Sequence, residues 1–410
     1  MSGPDVVIVG GGPAGLAAAA ALAPDLSVVV LDREDRAGGI PRHCHHGGFG
    51  VRDLRRVLSG PAYADRLVER ALGAGADLRT QAMVTGWAGE RALEVTSPRG
   101  REVLTPGAVV LATGARERSR AARFIAGSRV GGVYTTGALQ QLVHLHGRRL
   151  EGRAVVVGAE LVSWSAVLTL RQAGARPVLL TSTHARPEVY GPVHWGGRAA
   201  LGVTVAGRTR VAAIHGSGQV SGVELVNLDT GARTVVPCEL VVLTGDWVPD
   251  HELATSAALT ADPVTRGPRV DAALRTSRPG VFAAGNLVHP VDTADIAALD
   301  GSHVAAAVRD WVTRGLGTAG RGEPVLAGAG LTWVSPGWLD RSAGVPARGR
   351  LLAWPSVAAP VARVVVHQGG LEVARRSLPW PASPGRVLRV PWSVLDSVIV
   401  GRGPVTVSLR

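Results

Sequence analysis

The chain has 410 residues, enough for two or three domains of ordinary size, and its 46% hydrophobic and 19% charged residues support a large core and exclude general disorder. The formal charge of +12 is carried by scattered arginines with no basic block, so a nucleic-acid platform is not expected and attraction for anionic ligands is the milder reading. Two cysteines, Cys44 and Cys238, exclude a disulfide scaffold, a four-cysteine zinc site and a cysteine-ligated iron–sulfur cluster within this sequence. No secretory leader is read, and no apolar run reaches the ~20 residues of a membrane span, so the expected location is cytoplasmic.

The residues from Val6 to Val9 read as a buried parallel strand. Gly10, Gly12 and Gly15 follow in G-x-G-x-x-G spacing, with Pro13 and Ala14 inside the turn. An alanine-rich helix from Leu16 to Leu22 comes next, then a strand from Ser27 to Leu31 that ends at Asp32 and Arg33. In such a unit the first glycine makes the turn, the second lets backbone amides approach a pyrophosphate, and the third lets the helix pack on the strand. Asp32 stands where an acid holds a ribose diol.

The next segment pairs Gly38 and Gly39, then places Cys44 among His43, His45 and His46. Histidine suits the base that a C–N or C–O oxidation needs, so these three, and His289 further on, are catalytic candidates together with Cys44. Neighbouring side chains on an extended chain face opposite ways, which argues against a tetrahedral metal set here. A strand over 109–112 ends at Thr113-Gly114.

A second βαβ unit follows: strand Ala154–Val157, helix Val162–Gln172, strand Pro177–Leu180. Its turn reads Gly158-Ala159-Glu160-Leu161-Val162-Ser163. Glu160 replaces the second glycine and Ser163 the third, and no acid closes the second strand. A carboxylate there is expected to oppose a phosphate by bulk and by charge. The unit is therefore read as structural, with retained NAD(P) binding as the alternative. Cys238 is expected on a strand of this domain, too remote to partner Cys44. A strand over 281–284 then ends at Gly285-Asn286, and a helix starts near Ala294, flanked by Asp292 and Asp295.

From about Glu323 helical periodicity vanishes. Short β runs appear at 350–354, 361–367, 371–377, 386–390 and 405–409, punctuated by Pro and Gly, and are expected to form a small antiparallel sandwich or barrel. Trp333, Trp338, Trp354, Trp380 and Trp392 are expected in its core.

The glycine turns, the Ala112-Thr113-Gly114 strand end and Gly285-Asn286 together resemble the pyridine nucleotide–disulfide oxidoreductase superfamily. Segments 112–118, 131–137 with Gln140-Gln141, 158–163 and 285–290 resemble a narrower group: the FAD-containing α-type subunits of sarcosine and octopine oxidases, dye-linked proline dehydrogenase and hydrogen cyanide synthase. The resemblance implies an α/β fold with two Rossmann-like, glutathione-reductase-like dinucleotide-binding domains plus a small C-terminal all-β domain. The boundaries are 1–130 with 250–320 for the FAD domain, 131–249 for the NAD(P)-like domain, and 323–410 for the β domain. It implies FAD held by Gly10, Gly12, Pro13, Ala14, Gly15, Asp32, Arg33, Gly39, Thr113, Gly114, Gly285, Asn286 and Asp295. Where relatives carry a C-x4-C pair, only Cys44 is present, so dithiol chemistry is not expected. The expected function is an FAD-dependent oxidoreductase, one subunit of an amine, amino-acid or hydroxy-acid dehydrogenase system. It would act on a small molecule and pass electrons to a second dehydrogenase subunit or a separate 2Fe–2S protein. The alternatives are an NAD(P)H-dependent reductase and a flavin-binding assembly subunit.

Overall fold

The computed structural model describes residues 3–290, 292–315, 320 and 322–410. The chain runs through β1 (Val6–Val9), α1 (Pro13–Leu22), β2 (Val28–Leu31), α2 (Gly60–Gly73) and β3 (Asp77–Arg79). An antiparallel meander over Met83–Trp87, Leu93–Ser97 and Gly100–Leu104 leads to β4 (Ala108–Leu111). The second unit holds β5 (Val133–Thr135), α3 (Thr136–Gln140), β6 (Arg153–Val157), α4 (Leu161–Ala173), β7 (Arg176–Thr181), β8 (Thr204–Ala206) and β9 (Leu240–Leu243). The chain then returns to the first unit with β10 (Val281–Ala283) and α5 (Ala294–Arg314).

Each unit is built on a five-stranded parallel sheet. The orders are β10-β4-β1-β2-β3 and β5-β9-β6-β7-β8. The strands Val6–Val9, Val28–Leu31 and Ala108–Leu111 are buried along their whole length, as parallel strands covered on both faces must be. Pro13 starts α1 three residues ahead of the expected helix; proline suits that position because its missing N–H has no partner there anyway. Two crossing strands, Ala115–Glu117 and Trp247–Pro249, pair antiparallel where the chain passes between the units.

Residues 322–410 form two sheets around their own core. One has five strands, Trp338–Leu339, Glu323–Ala327, Val405–Leu409, Arg363–Gln368 and Leu371–Ser377, and the other three, Leu331–Ser335, Arg350–Pro355 and Leu388–Pro391. The expectation of a purely antiparallel domain is corrected: Glu323–Ala327 and Val405–Leu409, its first strand and its last, run parallel. Trp333, Trp338 and Trp392 are buried, but Trp380 is 38% exposed and lies outside the core. Cys238 lies just past the strand Arg233–Pro237, not on it. Among the described residues no helix is long and apolar enough to cross a membrane.

Candidate functional site

Both parallel sheets reverse their strand order beside one strand, β1 in the first and β6 in the second. The crevice outside the carboxyl ends at such a reversal is where open α/β sheets bind ligands. In the first crevice Gly10 turns with φ +109, and a Cβ there would lie 2.4 Å from the Ala112 carbonyl oxygen. A Cβ at Gly15 would lie 1.9 Å from the Gly10 carbonyl oxygen, so only glycine lets α1 seat on the turn. At Gly12 the opposite holds: a Cβ would meet only Gly39 Cα, at 3.9 Å. That gap lies before the α1 N-terminus, which begins at Pro13 and has no side-chain cap. Uncapped amides at a helix start favour an anion.

Asp32 is buried at the end of β2 and fixed by two backbone donors, Gly11 N to Oδ2 and Glu34 N to Oδ1, at 2.8 and 2.9 Å. Each oxygen keeps a lone pair for a ribose hydroxyl. Gly285 packs on Ala14, and Gly39 on Gly12. Thr113 Oγ1 donates to the Asp250 carbonyl at 2.8 Å, and the Gly114 carbonyl accepts from Asp250 N at 2.9 Å. The Asn286 amide clasps the backbone of Asp292 at both ends, at 3.1 and 3.2 Å. Open space, an uncapped helix start and an oriented carboxylate fit a dinucleotide such as FAD. Two expected contacts are reassigned. Arg33 turns outward to Asp250, at 3.3 Å. The buried Asp295 carboxylate accepts from Arg52 N and Arg52 Nη1, at 3.1 and 3.2 Å, so its charge is taken up by an arginine.

The second crevice has the same frame and a filled turn. Gly158 has φ +131, and Glu160 caps α4 from the extended backbone that Gly12 has before α1. Ser163 Oγ meets Thr244 Oγ1 at 2.5 Å inside the turn. Glu160 is buried, and among the described residues its Oε1 has no partner; it lies against Gly245, where a Cβ would lie 2.7 Å from that oxygen. Burial, with Glu188 and Glu117 nearby, pushes its carboxyl up to about 8. The expected charge repulsion is therefore weakened: burial favours the neutral carboxyl, and what Glu160 sets in the turn is bulk. The β domain seats on the loop after β7. Ser383 Oγ donates to the Pro187 carbonyl at 3.1 Å, Gly385 packs on Glu188, and the Arg386 guanidinium lies 4.7 Å from the Tyr190 ring centroid.

The histidine segment faces the second unit across the gap between them. Cys44 Sγ donates to Gln140 Oε1 at 3.2 Å, Gln140 Nε2 donates to Ser165 Oγ at 2.8 Å, and Ser165 Oγ lies 2.7 Å from His46 Nε2. The far ring nitrogen, Nδ1, lies 2.9 Å from the Gly47 carbonyl, which can only accept. Nδ1 therefore donates to Gly47, and Ser165 Oγ, which accepts from Gln140, can donate its own hydrogen to Nε2. His45 stacks on His144 at 4.0 Å, above an open cavity of about 430 Å³. His144 lies in a π-helical turn, Gln141–Leu145.

Three catalytic expectations change. Burial holds the Cys44 thiol up at about 12, so it is no thiolate nucleophile. Burial pulls His43 down to about 4, far below a base matched to neutral pH. His289 is 2% exposed and paired with Asp300; although burial opposes its charge, Asp300 raises its pKa, and it is closed to a substrate. The sequence reading missed Ser165 and His144, which no local motif marks.

Residues 4–301 match the sequence pattern of the family described as pyridine nucleotide-disulphide oxidoreductase. One of the opine oxidase subunits of Agrobacterium tumefaciens (strain Ach5) is 30% identical over 45% of this chain and 37% of its own length. The NADP(+)-dependent formate dehydrogenase subunit beta of Moorella thermoacetica is 29% identical over 77% of this chain and 45% of its own. The match thus spans less than half the length of either relative. Among solved structures, thioredoxin reductase of T. acidophilum superposes with a TM-score of 0.62 at 21% identity, covering 74% of this chain and 97% of its own.

Proposed function

Since the chain belongs to the pyridine nucleotide-disulphide oxidoreductase family and is an FAD-dependent oxidoreductase, we propose that it is the flavin subunit of an amine, amino-acid or hydroxy-acid dehydrogenase that hands electrons to a partner subunit. The observation that carries this reading is the contrast between the open turn at Gly12 and the turn filled by Glu160. With the nucleotide entrance obstructed, electrons enter from a substrate. With Cys44 and Cys238 both free and buried in different parts of the chain, they do not enter through a dithiol.

FAD, when bound, supplies a two-electron acceptor for the hydride of a C–H bond. The chain's own residues do the rest. Gly10, Gly12 and Gly15 admit the pyrophosphate, Asp32 holds the ribose, and the N-terminus of α5 offers a positive dipole end. In this reading His46 takes the N–H or O–H proton through Ser165: the hydroxyl passes its own hydrogen to Nε2 and receives the substrate's, with Gln140 holding the serine. A second reading, a reductase fed by NAD(P)H, draws on the retained βαβ frame and Gly158.

Anaerobic mixing tests the proposal. Purified yellow protein is expected to bleach with members of an amine, amino-acid and hydroxy-acid series and to pass electrons on only with its partner or a dye. His46→Ala is expected to slow bleaching about 10²-fold with FAD retained. Fast bleaching by micromolar NADPH, with none by the series, would replace this proposal with the reductase reading.

A further inference from the structure

After α3 the backbone widens into the π-helical turn Gln141–Leu145 and then reverses at Gly147, which has φ +63. Turns of this kind are rare and recur at functional sites. Two hydrogen bonds fix the return: Arg148 N donates to the Leu142 carbonyl at 3.1 Å, and Leu150 N to the Ala173 carbonyl, at the end of α4, at 3.0 Å. His144 of the turn meets His45 of the first unit face to face, with ring centroids 4.0 Å apart and planes 14° apart. The cavity of about 430 Å³ that opens beside them is lined by His45 and His144, by Arg148 and Arg149 of the return, and by Gln172 and Ala173 at the end of α4.

The charges of this cavity have one sign. Among the described residues no carboxylate lines it. Arg148, Arg149 and His45 are all exposed, and among the described residues none of the three makes an ion pair or a side-chain hydrogen bond. Other arginines near the passage between the units are engaged: Arg116 with Asp250 and Glu252, Arg120 and Arg123 with backbone carbonyls. Arginines beside a helix C-terminus can serve as caps, but here that duty is met. Three of the last carbonyls of α4, at Leu170, Arg171 and Ala173, accept from Ala175 N, Gly174 N and Leu150 N. Burial holds His144 down at about 4, so at neutral pH this ring is a neutral platform for His45. Two guanidiniums facing one concave space raise its potential and favour an anion.

We propose that this cavity binds a small dianion, a dicarboxylate or a phosphate monoester. Arg148 and Arg149 take its charged groups, and His45, set by its stack on His144, bounds the site from the first unit. The planar fork of an arginine matches the edge of a carboxylate or a phosphate. Two fixed cations are balanced by two negative charges, and the volume falls within the roughly 300–1,000 Å³ of small-molecule sites. The site is separate from both nucleotide turns, since those stand before α1 and α4 and this cavity lies at the far end of α4. It does not depend on which substrate reduces the flavin.

Calorimetric titration of FAD-loaded protein near neutral pH with succinate, methyl phosphate and acetate tests this. At least one of the two dianions is expected to saturate a single site, and the tighter of them identifies the head group. Acetate is expected to bind about tenfold more weakly or worse, about 1.4 kcal/mol. The double variant Arg148→Gln, Arg149→Gln should weaken the tighter dianion about tenfold or more, with FAD absorbance unchanged. In the wild-type protein the imidazole proton resonance of His45, assigned through His45→Gln, should shift as the site fills. Saturation by neither dianion, acetate as tight as the dianions, or an affinity that the double variant leaves unchanged would overturn the proposal. Should the double variant fail to fold, the His45 resonance decides: no shift at saturation would place the anion elsewhere and overturn the proposal equally.

Discussion

The turn after β1 and the turn after β6 have the same backbone and opposite contents. Gly12 and Glu160 each precede a helix from extended backbone, with φ −84 and ψ −174 in one and φ −79 and ψ 179 in the other. A glycine of positive φ stands two residues before each. In the first turn a Cβ at Gly12 would meet only Gly39 Cα; in the second a carboxyl folds inward against Gly245 and Ser163 meets Thr244. The frame thus persists with its turn filled: sheet and helix are held by buried apolar strands, whereas the space in the turn depends on one side chain.

The largest effect is expected from copying the second turn into the first. Gly12→Glu has room for its Cβ but sets a solvated carboxylate where the pyrophosphate belongs, and the purified protein should fold yet be colourless. Retention of FAD, read from the flavin absorbance of the protein, would break the comparison. The reverse exchange is milder. Wild-type flavin should bleach slowly with NADH or NADPH and show no saturation at micromolar levels, and Glu160→Gly should tighten NADPH at least tenfold, about 1.4 kcal/mol. The wild-type defect should deepen above about pH 8, as Glu160 takes on its charge there.

A smaller, thermodynamic effect follows from the same carboxyl. Between its ordinary 4.5 and about 8, the unfolded chain has released the Glu160 proton while the folded chain keeps it. Unfolding then releases a proton, so stability falls as pH rises through that window and stays low above it. Glu160→Gln should flatten this slope and gain a few degrees in Tm at pH 8 while changing little at pH 4. The smallest expected effect is none at all. Cys44 is buried near Gln140, and Cys238 is buried in a separate core with its thiol raised by burial to about 11. Thiol titration of the denatured protein should count two before and after mild reduction; release of further thiols on reduction would show a disulfide.

The parallel sheets were legible because their strands are unbroken apolar runs ending in glycine, a pattern that needs no tertiary partner to read. Glu160 was legible as bulk in the turn but not as a group held toward its neutral form, since that depends first on its burial and then on Glu188 and Glu117 arriving from other segments. The hydrogen-bonded chain of Cys44, Gln140, Ser165 and His46 joins residues 96 and 119 positions apart, beyond any local spacing rule. Arg389 looked like one of many scattered arginines, because only the docking of the β domain brings it to Asp292. The strand pairing of that domain was hidden for a related reason: its first and last strands close the sheet in parallel, and no turn signal links them.

The seating of the β domain also bears on how the molecule can move. The passage between the two Rossmann units, residues 115–117 against 247–249, would on its own be a hinge. The same β domain, however, grips the second unit at Pro187 and Tyr190 and the first at Asp292. A body tied to both arms of a hinge acts as a strut, and swinging the arms means tearing at least one of its joints. The two Rossmann units are thereby held in one geometry, and raising solvent viscosity should leave single-turnover bleaching unchanged.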